Sequence, residues 1–207
     1  MIQIENVEVY GWEAAIRGMR NPMNSWNQSD TSYGTGEPLS VGERDLTLMQ
    51  KLSNAGSDHG KFLRFITVSL DLVAPLYWWK EFDTYKVGTA ANSCSTMHKI
   101  HAKPFRLADF SHEHLDDESL WVLEDTISHL NLRRRRFLDT NARHEWWQLS
   151  QLLPTSYNQR RTVTLNYQVL KNMYHARKNH KLDEWRIFCE WIRTLPHSEL
   201  ITGEETA

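Results

Sequence analysis

LPTSYNQRRTVTLNYQVLKNMYHARKNHKLDEWR, from Leu153 to Arg186, is the stretch whose reading decides the fold. It reads as one long helix with polar groups at fixed intervals on otherwise apolar faces. Asn166 and Arg177 are 11 residues apart. At about 100° per residue they share a direction, roughly 16 Å apart along the axis. Asn172 falls in line with Leu165, Val169 and Ala176. An amide in that company must find a hydrogen-bond partner or cost roughly 1–3 kcal/mol. The expectation is a helix from about Thr164 to Arg177 with Asn172 buried and hydrogen-bonded.

Outward from this stretch the chain alternates strand and helix signals. Ile2 to Val9 alternates apolar and polar residues and predicts a strand, followed by a short helix over Glu13–Met19. Asn21 to Ser40 is rich in Gly, Ser, Asn and Pro and reads as a long loop. A helix is expected from Val41-Gly42 to Leu52, a strand over Lys61–Leu72, and a helix over Val73–Phe82. Amphipathic helices are expected over Asp117–Leu132, Asp139–Leu153 and Glu184–Leu195. The class is α+β, a small sheet with surrounding helices. One domain is expected over 1–197 and a flexible tail over 198–207.

The 207 residues carry a net charge of -2, which implies no general attraction to nucleic acid or anionic membrane. Two cysteines without metal or redox spacing suit a reducing cytoplasm. The first residues lack the basic start and apolar core of a signal peptide. No apolar run approaches the roughly 18 residues of a membrane span. Nine tryptophans suggest large buried surfaces or a subunit interface.

The stretch also resembles the C-terminal signature of the flavin-dependent thymidylate synthases, the ThyX family. That signature is a Leu-Pro, an Asn twelve residues after the Pro, a second Asn six further on, and an Arg five beyond. Here these are Pro154, Asn166, Asn172 and Arg177. Glu184 and Arg186 match the family's closing segment, which is one residue shorter here and lacks its Gln. Upstream, Asp58-His59 stands where the family has Glu-His, and Ser53 stands where it has an earlier His. The family's Arg-His-Arg falls on Trp78-Trp79-Lys80. After an insertion, Asn92 and Ser95 match its second half, with Ser93 in the place of Glu and Met97-His98 in the place of Arg-Tyr. Two further family arginines are replaced by Ser150 and Gln168.

The resemblance implies a small sheet with helices, assembled as a homotetramer with shared active sites. It implies FAD and a pyrimidine nucleotide as ligands. Arg177 would hold and polarise the pyrimidine, Ser95 would approach the substrate, and Asn166, Asn172, Lys80 and Asn92 would contact the cofactor. The replaced positions are those at which the family's guanidinium groups grip phosphate. Lys86, Lys99, Arg160 and Arg161 are candidate substitutes. The expected function is that of a divergent pyrimidine-nucleotide-binding protein, a flavin-dependent nucleotide-modifying enzyme with an altered substrate or reaction. The alternative is a non-catalytic interaction protein in which Trp78 and Trp79 fill the old phosphate cleft or face a partner.

Other motifs carry less. Gly88 to Ser93 is a small-residue loop whose amides could approach an anion, though no Gly-Lys-Ser/Thr follows and a plain turn explains it. His98, His101, His112 and His114 have spacings that suit a transition metal, but a polar loop without a diagnostic helix motif leads us to expect no metal site. Arg133 to Arg136 reads as a helix end, where cations favour the dipole, rather than a nucleic-acid patch. Neither Cys94 nor Cys189 has the setting of a nucleophile.

Overall fold

The computed structural model describes residues 2–32 and 40–203. In chain order it contains β1 (Gln3–Tyr10), α1 (Trp12–Arg20), α2 (Glu43–Asn54), β2 (Thr67–Pro75), α3 (Leu76–Phe82), β3 (Thr89–Ser93), α4 (Thr96–Lys99), α5 (Asp117–Thr140), α6 (Arg143–Leu152), β4 (Asn158–Asn166), α7 (Tyr167–Arg177), α8 (Asp183–Arg193) and α9 (Glu199–Thr202). The strands form one antiparallel sheet in the order β1-β2-β4-β3. The α+β expectation holds. Contacts divide the chain into two compact units, and all four strands run through the division.

The expected long helix is the main correction. Its first part is β4, and the helix begins only at Tyr167. The missed signal is period two: Gln159, Val163 and Leu165 are buried, and Thr162, Val163 and Thr164 are β-branched. Asn166 marks the switch. Its backbone is extended, and its side-chain oxygen accepts from Val169 N at 3.0 Å, an N-cap. Leu165 therefore lies on a strand, and Ala176 is exposed. The apolar line proposed for Asn172 dissolves, and Asn172 is exposed rather than buried. The true buried face of α7 is Tyr167, Val169, Leu170, Met173 and Tyr174.

One unit comprises Asn6–Leu70, Tyr85–Ala90 and the chain from Val163 onward. Helix α1 buries Trp12, Ala15, Ile16, Met19 and Arg20, the spacing of a single helical face. Gly11 precedes it with φ +88, and a Cβ there would fall 1.9 Å from Phe65 O, so only glycine fits. The strand expected over Lys61–Leu72 is split. Gly60–Arg64 is a 3-10 turn, which lets the adjacent Phe62 and Leu63 both be buried. The strand starts at Thr67 and buries Val68, Leu70, Leu72 and Ala74 alternately. The loop expected over 21–40 holds short 3-10 turns at Asn21–Met23 and Trp26–Gln28, and its positions 33–39 lie outside the described residues.

The expected tail is also corrected. Ser198 is buried, α9 follows it, and Leu200 and Ile201 are completely buried. The stretch is rich in polar residues, yet two adjacent apolar ones suffice to dock a single turn. Positions 204–207 lie outside the described residues.

The other unit holds Asp71–Thr84 and Ala91–Thr162 with the N-terminal residues up to Glu5. Its core packs Ile100, Phe105 and Phe110 with Leu123, Ile127 and Leu130 of α5 and Leu149 of α6. Helix α5 starts at the side chain of Asp116, which accepts from Ser119 N at 2.8 Å. It runs eight residues past the expected Leu132 and ends where Asn141 turns left-handed at φ 50. The arginine run is thus inside the helix and not beyond it. Arg133 pairs with Glu145 at 3.3 Å, and Arg134 Nε donates to His101 O at 2.8 Å.

Candidate functional site

The C-terminal end of α2 and one face of α7 enclose a cleft of about 460 Å³. Ser53 and Ser57 line one side, and Gln168, Lys171, Asn172 and His175 line the other. Residues 168, 171, 172 and 175 are spaced three and four apart, so one helical face presents them all. The cleft thereby gathers three positions picked out from separate motifs: Ser53, Gln168 and Asn172. Gln168 Nε2 donates to Asn172 Oδ1 at 3.1 Å. This pairing is the hydrogen bond expected for Asn172, made at the surface.

Sequence reading missed Lys171. Its Nζ donates to Ser53 Oγ at 2.6 Å and to Ser53 O at 2.9 Å. Ser53 Oγ donates in turn to Leu200 O at 2.8 Å. Burial holds the Lys171 ammonium below the usual lysine range. Lys171 sits three residues on from Gln168, where an arginine is missing from the family pattern, but nothing local in the sequence marks its partner Ser53.

Arg177 does not line this cleft. It lies at the end of α7 with its guanidinium 4.9 Å from the Trp185 ring and 5.8 Å from the Tyr85 ring. Its Nε donates to Tyr85 Oη at 3.1 Å. Two aromatic faces and a phenol fix its orientation, a cation–π setting. The expected small-residue turn is instead the start of β3, and Asn166 packs against Gly88 just before it: Gly88 has φ +78, and a Cβ there would lie 2.8 Å from Asn166 Nδ2. Asp58 and His59 line a second cavity of about 730 Å³ together with Met19, Leu48 and Phe62.

The remaining expected site residues lie in the other unit. Trp78 and Trp79 are buried in α3, so they form no exposed partner surface. Trp79 Nε1 donates to Gln159 O at 3.0 Å, and the Arg161 guanidinium sits 4.2 Å from its ring. Lys80 is exposed on α3, and Asn92 is exposed on β3. Ser95 caps α4 by accepting from His98 N at 3.1 Å. Of the suggested substitute cations, Arg160 is paired with Glu5 at 2.9 Å and Asp71 at 2.8 Å, and Arg161 with Asp83 at 2.7 Å. The Ser150 hydroxyl, where the family has an arginine, is buried without a hydrogen-bond partner among the described residues.

Burial pushes the Cys189 thiol up to about 11, as suits a core thiol rather than a nucleophile. Among the described residues no three His, Cys, Asp or Glu side chains gather as a metal site. No described helix is long and apolar enough to cross a membrane.

No family model matches the chain, and no curated protein matches it. Solved structures do. One is the flavin-dependent thymidylate synthase ThyX from Helicobacter pylori complexed with FAD and dUMP, with a TM-score of 0.73 and 15% identity over 98% of each chain. Another is the UMP/dUMP methylase PolB from Streptomyces cacaoi, solved with 5-Br dUMP, with a TM-score of 0.64 and 15% identity over 98% of this chain and 95% of the other. The fold is therefore that of the ThyX proteins in a divergent form.

Proposed function

We propose that this chain binds a pyrimidine nucleotide and acts on it by a reaction that departs from standard thymidylate synthesis. The supporting observation is likeness along nearly the whole chain to a synthase complexed with FAD and dUMP and to a UMP/dUMP methylase. Arg177 is the proposed pyrimidine contact, held by Tyr85 and Trp185 so that its charge can stabilise negative charge developing on the ring. Ser95 is the proposed second substrate contact, and Asn166, Asn172, Lys80 and Asn92 the proposed cofactor contacts. The assembly is proposed to be a homotetramer.

The residues present do not fit the family's grip on FAD phosphates. Trp78 and Trp79 are core residues, Ser150 is a small buried hydroxyl, and Gln168 is neutral. Each lost guanidinium–phosphate contact removes about 1.5–3 kcal/mol. Purified protein is expected to carry little flavin absorbance and to fail to rescue a thymidine-requiring strain. Rescue would refute the reading.

Calorimetry with dUMP and UMP tests nucleotide binding directly. Replacing Arg177 with alanine is expected to weaken that binding by about 10- to 100-fold, the worth of one charge-assisted hydrogen bond. Unchanged affinity would remove Arg177 from the site and leave the non-catalytic reading in front. The burial of Trp78 and Trp79, which stand where the family pattern has Arg-His, favours that second reading.

Assembly is tested by light scattering, with an expected mass of about four times 24.4 kDa. Trp121, 66% exposed, and Val122 on α5 offer apolar surface for contact between copies. A 24.4 kDa particle at micromolar concentration would contradict the tetramer.

A further inference from the structure

We propose that Lys171 is the anion-binding residue of the Ser53–Asn172 cleft, holding a negatively charged oxygen of the bound molecule, with Ser53 as its positioning residue. The inference deepens the nucleotide reading and rests on it.

An ammonium has three N–H donors. Two of those of Lys171 go to Ser53 Oγ and Ser53 O. The third is left for the cleft, which Lys171 lines. No carboxylate among the described residues pairs with Lys171, although the group is partly buried. A cation withdrawn from water without a counter-ion is a standing site for an anion. The purely structural alternative is that Lys171 caps α2, since Ser53 O is one of its last carbonyls. Capping requires a single N–H and explains neither the second bond to Ser53 Oγ nor the cleft.

The surroundings suit an anionic oxygen too. The Gln168–Asn172 bond uses one amide hydrogen of Gln168 and leaves the Asn172 amide hydrogens as further donors. Ser57 and His175 add hydrogen-bonding groups to the walls. Gly56 stands at the rim with φ +104, and nothing lies within 4 Å of where its Cβ would be, so the entrance is open. Phosphate and carboxylate oxygens share this chemistry, and the experiment separates them.

The test is an NMR titration of the Lys171 side chain, its signal identified as the lysine signal absent from Lys171→Arg. The probes are inorganic pyrophosphate and glutarate, followed by dUMP and UMP. A saturable shift with pyrophosphate assigns a phosphate group, and one with glutarate a carboxylate. Lys171→Met is expected to weaken the effective probe at least tenfold by calorimetry, and Lys171→Arg to retain it. If Lys171→Met does not fold, the wild-type titration and Lys171→Arg still decide. No shift with either probe, or equal affinity in Lys171→Met, overturns the inference. Binding of dUMP or UMP without a response at Lys171 overturns it while sparing the nucleotide reading. A response to pyrophosphate or glutarate without any binding of dUMP or UMP sinks the nucleotide reading and spares the anion site.

Discussion

Replacing Asp45 with alanine is expected to cost about 3–5 kcal/mol, because it leaves a guanidinium buried without its counter-charge. Asp45 is 0% exposed and Arg20 4%. Arg20 Nε donates to Asp45 Oδ1 at 2.6 Å. The other carboxylate oxygen accepts from Ser29 Oγ at 2.6 Å, Thr31 Oγ1 at 2.6 Å and Thr31 N at 3.2 Å. Arg20 also reaches Ser25 O at 3.3 Å and Gln28 O at 3.2 Å. One ion pair therefore ties α1 to α2 and, through Ser25, Gln28, Ser29 and Thr31, holds the chain that follows α1. With total stability of about 5–15 kcal/mol, the substitution removes a large share. A urea midpoint equal to wild type would contradict this. Substituting both partners by apolar residues of similar size is expected to recover much of the loss, since the desolvation of both charges disappears with them.

Acid should act on the same pair. Burial pushes the Asp45 carboxyl up, but the hydroxyls of Ser29 and Thr31 and the charge of Arg20 outweigh it, so its pKa lies below the ordinary 3.8. A depressed carboxylate contributes stability that is complete above the unfolded pKa and is lost as pH falls through the folded one. Wild-type stability is thus expected to fall below about pH 4, with a shallower fall in a variant lacking both charges. Parallel acid-unfolding curves would show that Asp45 is not the responsible group.

The fold class was legible because strand and helix signals alternate early and helices dominate later. Periodicity found α1 and α8 within one or two residues, since each buries a single clean stripe. It failed at Asn158–Asn166 because the search for a 3.6-residue period was carried across a strand. Asn166 was the clue: an Asn before a helical face is first of all an N-cap. Ser53, Gln168 and Asn172 were each marked by the family pattern, though not as a set, and the structure brings them to one cleft. Lys171 was not, because its role depends on Ser53, more than a hundred residues away in the chain, and no local pattern encodes that proximity.

The same distance effect hid α9, and its removal is the second large expected loss. Ending the chain at Ser198 deletes Leu200 and Ile201, both 0% exposed. Truncating one such side chain to alanine costs about 2–5 kcal/mol, so losing both with their backbone approaches the stability of a whole domain. Leu200→Ala alone is expected to cost about 2–5 kcal/mol by urea unfolding. A chain ending at Gly203, whose φ of +70 closes α9, retains both residues and serves as the control. The loss should reach the cleft as well. Leu200 O accepts the proton of Ser53 Oγ, and that oxygen in turn accepts from Lys171. Without α9 the hydroxyl loses its acceptor and the direction of its lone pairs, and the ammonium loses a fixed seat. The shortened chain, if it remains folded at low temperature, is therefore expected to bind any ligand of the cleft more weakly than the control does. Equal stability of the chains ending at Ser198 and Gly203 would show that the terminal turn contributes nothing and that the buried pair is not part of the core.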